Sequence, residues 1–553
     1  VEDWGEQCVG KVQPSLFVLS LSETEPTVVA CPADDNTIGQ PVWAPDDAGI
    51  VCVSWGAPRR KLGVKFYNTR DCTLVYFPWN QGRPETPVFI TPSVTTACEP
   101  RFSPDGSKLC FVAGVQGVTM HMGPSRLFVV PWPLLEDSTL DKPSLVLEPP
   151  PAADLSPTDF PGLYLGGEGQ VPHRVWLGNK WVLFQTQWAT SRAIVAIDTT
   201  TGSVSRVTPH ALGYSYSLLD TRDCGSGEYL LLVGESTPTS PRVAHVYRVT
   251  EQSGELRTTS STKLESAASR RTLPMREALG HLRWEVVDLP QNGTQAIVIH
   301  PKDATTPPPL VVMPHGGPHS AFAGDFMLPP VLLALHNHCV ALVNYRGSVG
   351  FGLAAQSTLP GQCGQQDIVD VHAVTQKCIE LGWGDAARVT VCGGSHGGFI
   401  TCHLIGQYPE SYKAAVARNP VTNIASMLGV TDIPDWCHVE SAGLQAIESF
   451  ESLPNMSPAA LSRMLAASPI AHQEAITAPL LFLVGAKDRR VPPSQSYEMY
   501  WALKTRGHNT RLLLYPEGQH SLDDSVGSEG DAWVNAVAWL ITLGAFNGLR
   551  QAE

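Results

Sequence analysis

The feature that most restricts this fold is a change of hydrophobic period near residue 280. Before it, from Ser15 to about Leu256, short apolar runs alternate with turn residues and helical spacing is almost absent, the pattern of an all-β domain. After it, continuous apolar runs alternate with amphipathic stretches, as in a parallel sheet covered by helices on both faces. At roughly 150 residues per domain, a length of 553 residues also requires at least two cores. The predicted division is a β domain over 1–280, which includes a polar linker from Thr258 to about Gly280, and an α/β domain over 281–553.

The β half is repetitive. Pro41-Val42-Trp43-Ala44-Pro45-Asp46-Asp47 recurs as Pro100-Arg101-Phe102-Ser103-Pro104-Asp105-Gly106, each followed by a strand, and Val175-Trp176-Leu177-Gly178-Asn179 is a weaker echo. Hairpin-like pairs lie between: Leu16 to Val29, Thr73 to Ile90, Arg126 to Leu147, Ala193 to Val207 and Ala244 to Leu256. Units of about 50 to 70 residues with four short strands predict β-propeller blades rather than a sandwich. The first pair has no inner strands ahead of it, so the count is about four and a half blades. A ring must close, and half a blade leaves an open edge. The expectation is a partial propeller completed by an upstream segment on the order of 150 to 200 residues, on this polypeptide or as a cleaved companion.

The 38 basic and 52 acidic residues give a net charge of −14, which opposes binding to nucleic acid or anionic membrane surfaces. No run approaches the roughly 20 apolar residues of a membrane span, and Val1-Glu2-Asp3-Trp4 lacks the start of a secretory signal. The 13 cysteines are odd in number and scattered without CxxC spacing, which suits thiols in a reducing compartment. Against this, the Asn292-Gly293-Thr294 sequon is only a weak signal for secretion.

In parallel sheets function collects at the carboxyl ends of strands. Val389 to Cys392 runs into Gly393-Gly394-Ser395-His396-Gly397-Gly398-Phe399 and then a helical stretch, so G-x-S-x-G stands in the strand-turn-helix setting of a nucleophile elbow. A serine hydroxyl needs a base, and the base needs an orienting acid. Asp488 follows the strand Leu480 to Val484, and His520 follows Arg511 to Tyr515, the order Ser, acid, His of α/β-hydrolases. His472 and His508 are rival bases, and Asp523 and Asp524 rival acids, but none follows a strand so closely. Pro314-His315-Gly316-Gly317-Pro318 follows another strand. An N–H of this turn, that of Gly317 or, as the alternative, Gly316, joins that of His396 as the expected oxyanion donors.

His315, His319, His336 and His338 lack acidic or cysteine partners at metal-site spacing, so neither metal nor cofactor is expected. Trp383 and Trp436 read as packing residues. Arg346 and Arg490 read equally as cleft-facing cations and as structural ion-pair partners.

With HGGP, NYRGS-GFG, GGSHGGF, DRRVP and a late His behind a propeller, the chain resembles the prolyl oligopeptidase family of serine peptidases. Within it, Ala417-Arg418-Asn419-Pro420 and Thr431-Asp432-Ile433-Pro434-Asp435-Trp436-Cys437 are similar to the acylaminoacyl-peptidase branch. The likeness is close from about Val311 to Leu543. It is looser before that, where Glu2-Asp3-Trp4-Gly5-Glu6 and the Trp43 region carry it and Pro149 to Arg174 departs from it. The resemblance implies an enzyme that releases an N-acylated, typically N-acetylated, amino acid from short peptides. It further implies a cytosolic homotetramer without cofactors, with a seven-bladed propeller. The alternatives are a dipeptidyl or prolyl oligopeptidase or an esterase of the same fold, and an inactive binding scaffold.

Overall fold

In the computed structural model the described residues are 3–544, apart from 20–24, 26, 30–35, 57–59, 68, 81, 135–142, 152–154, 166–170, 265–272, 290–292 and 447–455. Asn292 of the sequon lies outside them, as do Val1 and Glu2.

The N-terminal region is antiparallel. A strand pair, Leu16–Val18 with Thr27–Val29, precedes a sheet built on Thr37–Trp43, Gly49–Trp55 and Cys72–Asn80, whose last strand is flanked by Val88–Phe89. The next sheet holds Cys98–Phe102, Lys108–Gly114, Ser125–Pro131 and Ser144–Leu147. Then come Trp176–Leu177, Trp181–Trp188, Ser191–Asp198 and Val204–Arg206, followed by Ser215–Gly225, Glu228–Thr237, Ser240–Gln252 and Glu255–Lys263. These last two sets are joined by one parallel pairing, Arg192 with Ser215.

Period-2 alternation explains how the sheets stack, because successive side chains of a strand point to opposite faces. In Lys108–Gly114, Leu109 and Phe111 pack with Val51, Val53 and Leu74 of the preceding sheet. Cys110 and Val112 pack with Val182, Phe184 and Val195 of the following one. Leu183, Ile194 and Ala196 in turn meet Leu231, Val233 and Tyr247. Inner strands are thus buried on both faces, and each sheet is stabilised by its neighbours. The repeated turns also correspond. Gly106 of Pro104-Asp105-Gly106 has φ 72°, and Asp47 takes φ 56° at the matching position of Pro45-Asp46-Asp47.

One expectation is corrected: the polar stretch beginning at Thr258 is not linker throughout. Strand Glu255–Lys263 pairs with Ser240–Gln252 along its length and, as an edge strand, leaves most of its side chains exposed. Serine and threonine there report a solvated face, not a break in the sheet.

The C-terminal region is an eight-stranded sheet. Its strands are β1 (Leu282–Leu289), β2 (Thr294–Pro301), β3 (Leu310–Pro314), β4 (Cys339–Asn344), β5 (Val389–Gly394), β6 (Ala414–Arg418), β7 (Leu480–Gly485) and β8 (Thr510–Tyr515). Their order is β1-β2-β4-β3-β5-β6-β7-β8. The β1–β2 and β2–β4 pairs are antiparallel and all others parallel. Both faces are covered: Val312, Ala341 and Val391 meet Ile368, Val371 and Phe399 on one side, while Val311, Leu342 and Leu481 meet Val331, Leu333 and Ala536 on the other. Among the described residues no helix is long and apolar enough to cross a membrane, and no disulfide forms.

Phe111 is fully buried and stacks on Phe128 at 5.2 Å between centroids. Phe111→Ala should destabilise the N-terminal region by about 3–5 kcal/mol, read as a lowered denaturant midpoint; a loss below about 1 kcal/mol would contradict the two-faced packing.

Candidate active site

β5 ends at Gly394, Ser395 forms the turn, and the helix His396–Gln407 starts at the next residue. Ser395 has φ 58° and ψ −122°, a conformation that L side chains rarely adopt. Its neighbours explain the glycine spacing. A Cβ on Gly393 would sit 2.2 Å from the Gly397 carbonyl oxygen, and one on Gly397 would sit 2.4 Å from that of Pro314.

The structure brings Ser395, His520 and Asp488 together. His520 Nε2 lies 2.9 Å from Ser395 Oγ, and Nδ1 lies 2.7 Å from Asp488 Oδ2. Asp488 Oδ1 accepts the N–H groups of Arg490 and Val491 at 2.9 and 2.8 Å, which orients the buried carboxylate. With Nδ1–H donating to Asp488, the Nε2 lone pair faces the serine hydroxyl, the arrangement in which imidazole can take its proton. None of the rivals His472, His508, Asp523 and Asp524 lines the cavity around Ser395. His472 packs near His403 instead, and Asp524 accepts the N–H of Gln519.

Around the expected oxyanion donors, a Cβ on Gly316 would lie 3.3 Å from Ser395 Cβ, so this turn approaches the nucleophile closely. The Trp436 indole donates to the Gly317 carbonyl at 2.9 Å and anchors the turn. The His396 ring points away from the elbow to Asp367, with Nε2 2.9 Å from Oδ2 and both side chains fully buried. Asp367 has no sequence signature; only the packing of its helix beneath the elbow brings it there. Burial lowers the His315 pKa to about 3, so this ring stays neutral, hydrogen-bonded to Ser348 and stacked on Tyr345.

Both arginines of double reading are paired: Arg346 binds Asp370 through Nε and Nη2, and Arg490 binds Asp432 at 2.9 Å. Trp383 packs against His300, whereas Trp436, read as packing alone, also lines the cavity.

Sequence reasoning missed Glu6 as a site residue. Its buried carboxylate accepts the N–H of His520 through Oε1 at 2.8 Å and that of Arg489 through Oε2 at 2.9 Å. One side chain thus bridges the two loops that carry the base and its acid. Burial raises the Glu6 pKa, and the charge of Asp488 adds to the shift. Asp432, the partner of Arg490, accepts the Glu6 N–H at 2.8 Å. Glu6 and His520 are 514 positions apart, so no local pattern could have linked them.

A cavity of about 600 Å³ surrounds Ser395, lined by Gly316, Trp436 and His520 from the α/β domain and by Tyr67, Tyr164 and Arg192 from the β domain. Residues 325–542 match the model of the prolyl oligopeptidase family, and residues 1–270 that of the acylamino-acid-releasing enzyme N-terminal domain. The acylamino-acid-releasing enzyme of Sus scrofa is 37% identical over 556 residues, 98% of this chain and 71% of the relative. That of Arabidopsis thaliana is 32% identical over 97% of this chain and 72% of its own length. The chain belongs to the acylamino-acid-releasing enzymes of the prolyl oligopeptidase family. It is a serine hydrolase. Among solved structures, Pyrococcus horikoshii acylaminoacyl peptidase superposes with a TM-score of 0.66 at 18% identity, covering 95% of this chain and 73% of that one. A puromycin hydrolase gives 0.62 at 18% identity, covering 98% and 81%. At these identities the structures speak for the shared fold.

Glu6→Gln keeps the shape but sets an amide N–H₂ against a backbone N–H. The loss of one charge-assisted hydrogen bond, about 1.5 kcal/mol, should lower kcat roughly tenfold with KM little changed. Steady-state kinetics on an N-acetyl-alanyl chromogenic substrate check this, and an unchanged kcat would remove Glu6 from the positioning of His520.

Proposed function

We propose that this chain is a serine exopeptidase that releases an N-acylated, typically N-acetylated, amino acid from the front of short peptides. The observation that carries the reading is the continuous hydrogen-bonded series Ser395–His520–Asp488 at the wall of a cavity roofed by the β domain. His520 takes the hydroxyl proton as Ser395 Oγ attacks the carbonyl that joins the acylated first residue to the peptide. The N–H groups of His396 and Gly317 hold the oxyanion, and His520 passes the proton to the leaving amine. Water, deprotonated by the same imidazole, then releases the acyl-amino acid. The roof admits small or unfolded peptides.

A blocked N-terminus is favoured over a free amine by the charges in the cavity. Among the described residues Glu99 is the one carboxylate in its lining, and it is paired with Arg101 at 3.0 Å. A dipeptidyl reading would need acidic groups to hold an ammonium. The names of the relatives point the same way. We further take the stacked antiparallel sheets as propeller blades, seven being the number that the family resemblance implies, and the enzyme as a cytoplasmic homotetramer. The absence of disulfides among the described residues supports a reducing compartment.

Ser395→Ala should abolish turnover and fluorophosphonate labelling while leaving the unfolding midpoint in place; retained hydrolysis would overturn the assignment of the nucleophile. With matched acetylated and free-amine peptides, kcat/KM should favour the acetylated member by on the order of 100-fold or more, since an ammonium in this cavity lacks a partner for its charge. Equal or reversed values would move the chain to the dipeptidyl reading.

A further inference from the structure

One cluster near the cavity lies outside the triad. His319 follows the Pro314–Pro318 turn, Glu440 lies on the helix Pro434–Ala442, and His121 comes from the β domain, between the strands Lys108–Gly114 and Ser125–Pro131. His121 Nδ1, His319 Nε2 and Glu440 Oε1 all lie within 4.8 Å of one another. All three are buried, and apart from their ion-pair contacts with one another none of them makes a hydrogen bond. Three polar atoms in this state are costly unless a shared partner sits among them.

The remaining atoms of the cluster are committed in a way that aims these three. His319 Nδ1–H donates to the Gly347 carbonyl at 2.8 Å, which leaves the Nε2 lone pair toward Glu440. The Cys363 thiol donates to Glu440 Oε2 at 3.6 Å, which leaves Oε1 open. The His121 ring is stacked on Tyr67 at 5.3 Å.

Two of the three spacings match a metal ion, and the third lies within 4.8 Å. Ligand bonds of about 2.0–2.1 Å to a tetrahedral centre put ligand atoms about 3.3–3.4 Å apart. Glu440 Oε1 lies 3.3 Å from His319 Nε2 and 3.6 Å from His121 Nδ1. Two imidazoles and one carboxylate are the donors preferred by zinc-class ions over magnesium or calcium. His121 and His319 both line the cavity, so a fourth position would face it. The second cluster of this kind, Cys363, Asp367 and His396, differs in that His396 and Asp367 are already hydrogen-bonded at 2.9 Å. The first cluster escaped notice in the sequence because its acid and its second imidazole lie 121 and 198 positions from His319.

We propose that His121, His319 and Glu440 form a binding site for one divalent transition ion of the zinc class, which ties the β domain to the α/β domain beside the catalytic cavity. Chelator-treated full-length chain, titrated calorimetrically with zinc chloride at pH 7, should bind one equivalent. Its thermal midpoint should rise by roughly 5 °C at saturation. His520→Asn, which removes the imidazole of the triad, should bind zinc as the parent does. His121→Gln and Glu440→Gln should each weaken binding by on the order of 100-fold or more. Cobalt(II) in the same site should show the visible ligand-field absorption of a tetrahedral centre, lost in His121→Gln. If Glu440→Gln does not fold, His121→Gln decides the matter. Absence of binding below about 100 μM, where a built site should be filled, would overturn the proposal and leave the cluster as a buried, proton-sharing ion pair. Parent-like affinity in His121→Gln, or loss of binding in His520→Asn alone, would likewise overturn it.

Discussion

A non-glycine residue in the left-handed region costs about 1–3 kcal/mol and persists only where its surroundings over-determine it. Ser395 is such a residue, at φ 58°. Its N–H is held by the Arg418 carbonyl at 2.8 Å, and its carbonyl accepts the N–H of Phe399 at 2.9 Å. Glycines flank it where any side chain would strike backbone oxygen. Fully buried strands and helix press from both sides, with Val391 and Phe399 in one core and Val311 and Val416 in the other. The packed sheet therefore keeps the serine aimed into the cavity. The burial of the β5–helix unit, at roughly 1.5–3 kcal/mol for each large apolar side chain, far exceeds the strain of one residue.

The acid and base reach that serine from loops after β7 and β8, and those loops are propped by the other domain. Glu6 spans them. Arg490 reaches from Asp432 to the carbonyl of Lys65, Asp432 accepts the N–H of Glu6, and Arg70 pairs with Asp435 at 2.8 Å. Buried ion pairs of this kind add little net stability, because desolvation offsets most of the Coulombic gain. They do impose geometry, since a shifted partner would leave a buried charge uncompensated. The β domain thus acts on the chemistry through placement, as well as forming a wall of the cavity.

The legibility of the fold followed the physics of local order. Parallel strands buried on both faces are continuous apolar runs, and Val389 to Cys392, Leu480 to Val484 and Arg511 to Tyr515, read from sequence, coincide with β5, β7 and β8. The antiparallel pair β1 and β2 was not read, because Arg283, Glu285 and Asp288 break the apolar run of β1. The part of the strand Glu255–Lys263 from Thr258 onward reads as linker in the sequence because an edge strand shows mostly its solvated face. In the site, Ser395, Asp488 and His520 were visible because each stands in the turn or loop that follows a strand. Asp367, Glu6 and Glu440 were not, because their partners are supplied by the fold.

The sequence by itself determined where apolar strands end and which reactive side chains follow them, since strand period, turn glycines and the order of Ser, Asp and His are properties of neighbouring residues. It also determined the succession of short antiparallel strands before residue 280, through the repeat of their turns. The tertiary structure alone decided how the charges were spent. Arg346 and Arg490 became ion-pair partners, Glu6 came to hold the loops of Asp488 and His520, and His121 met His319 and Glu440 across the domain boundary. The reason is range: hydrophobic period is written within a few residues, whereas a buried charge takes its meaning from whichever group the folded chain sets against it.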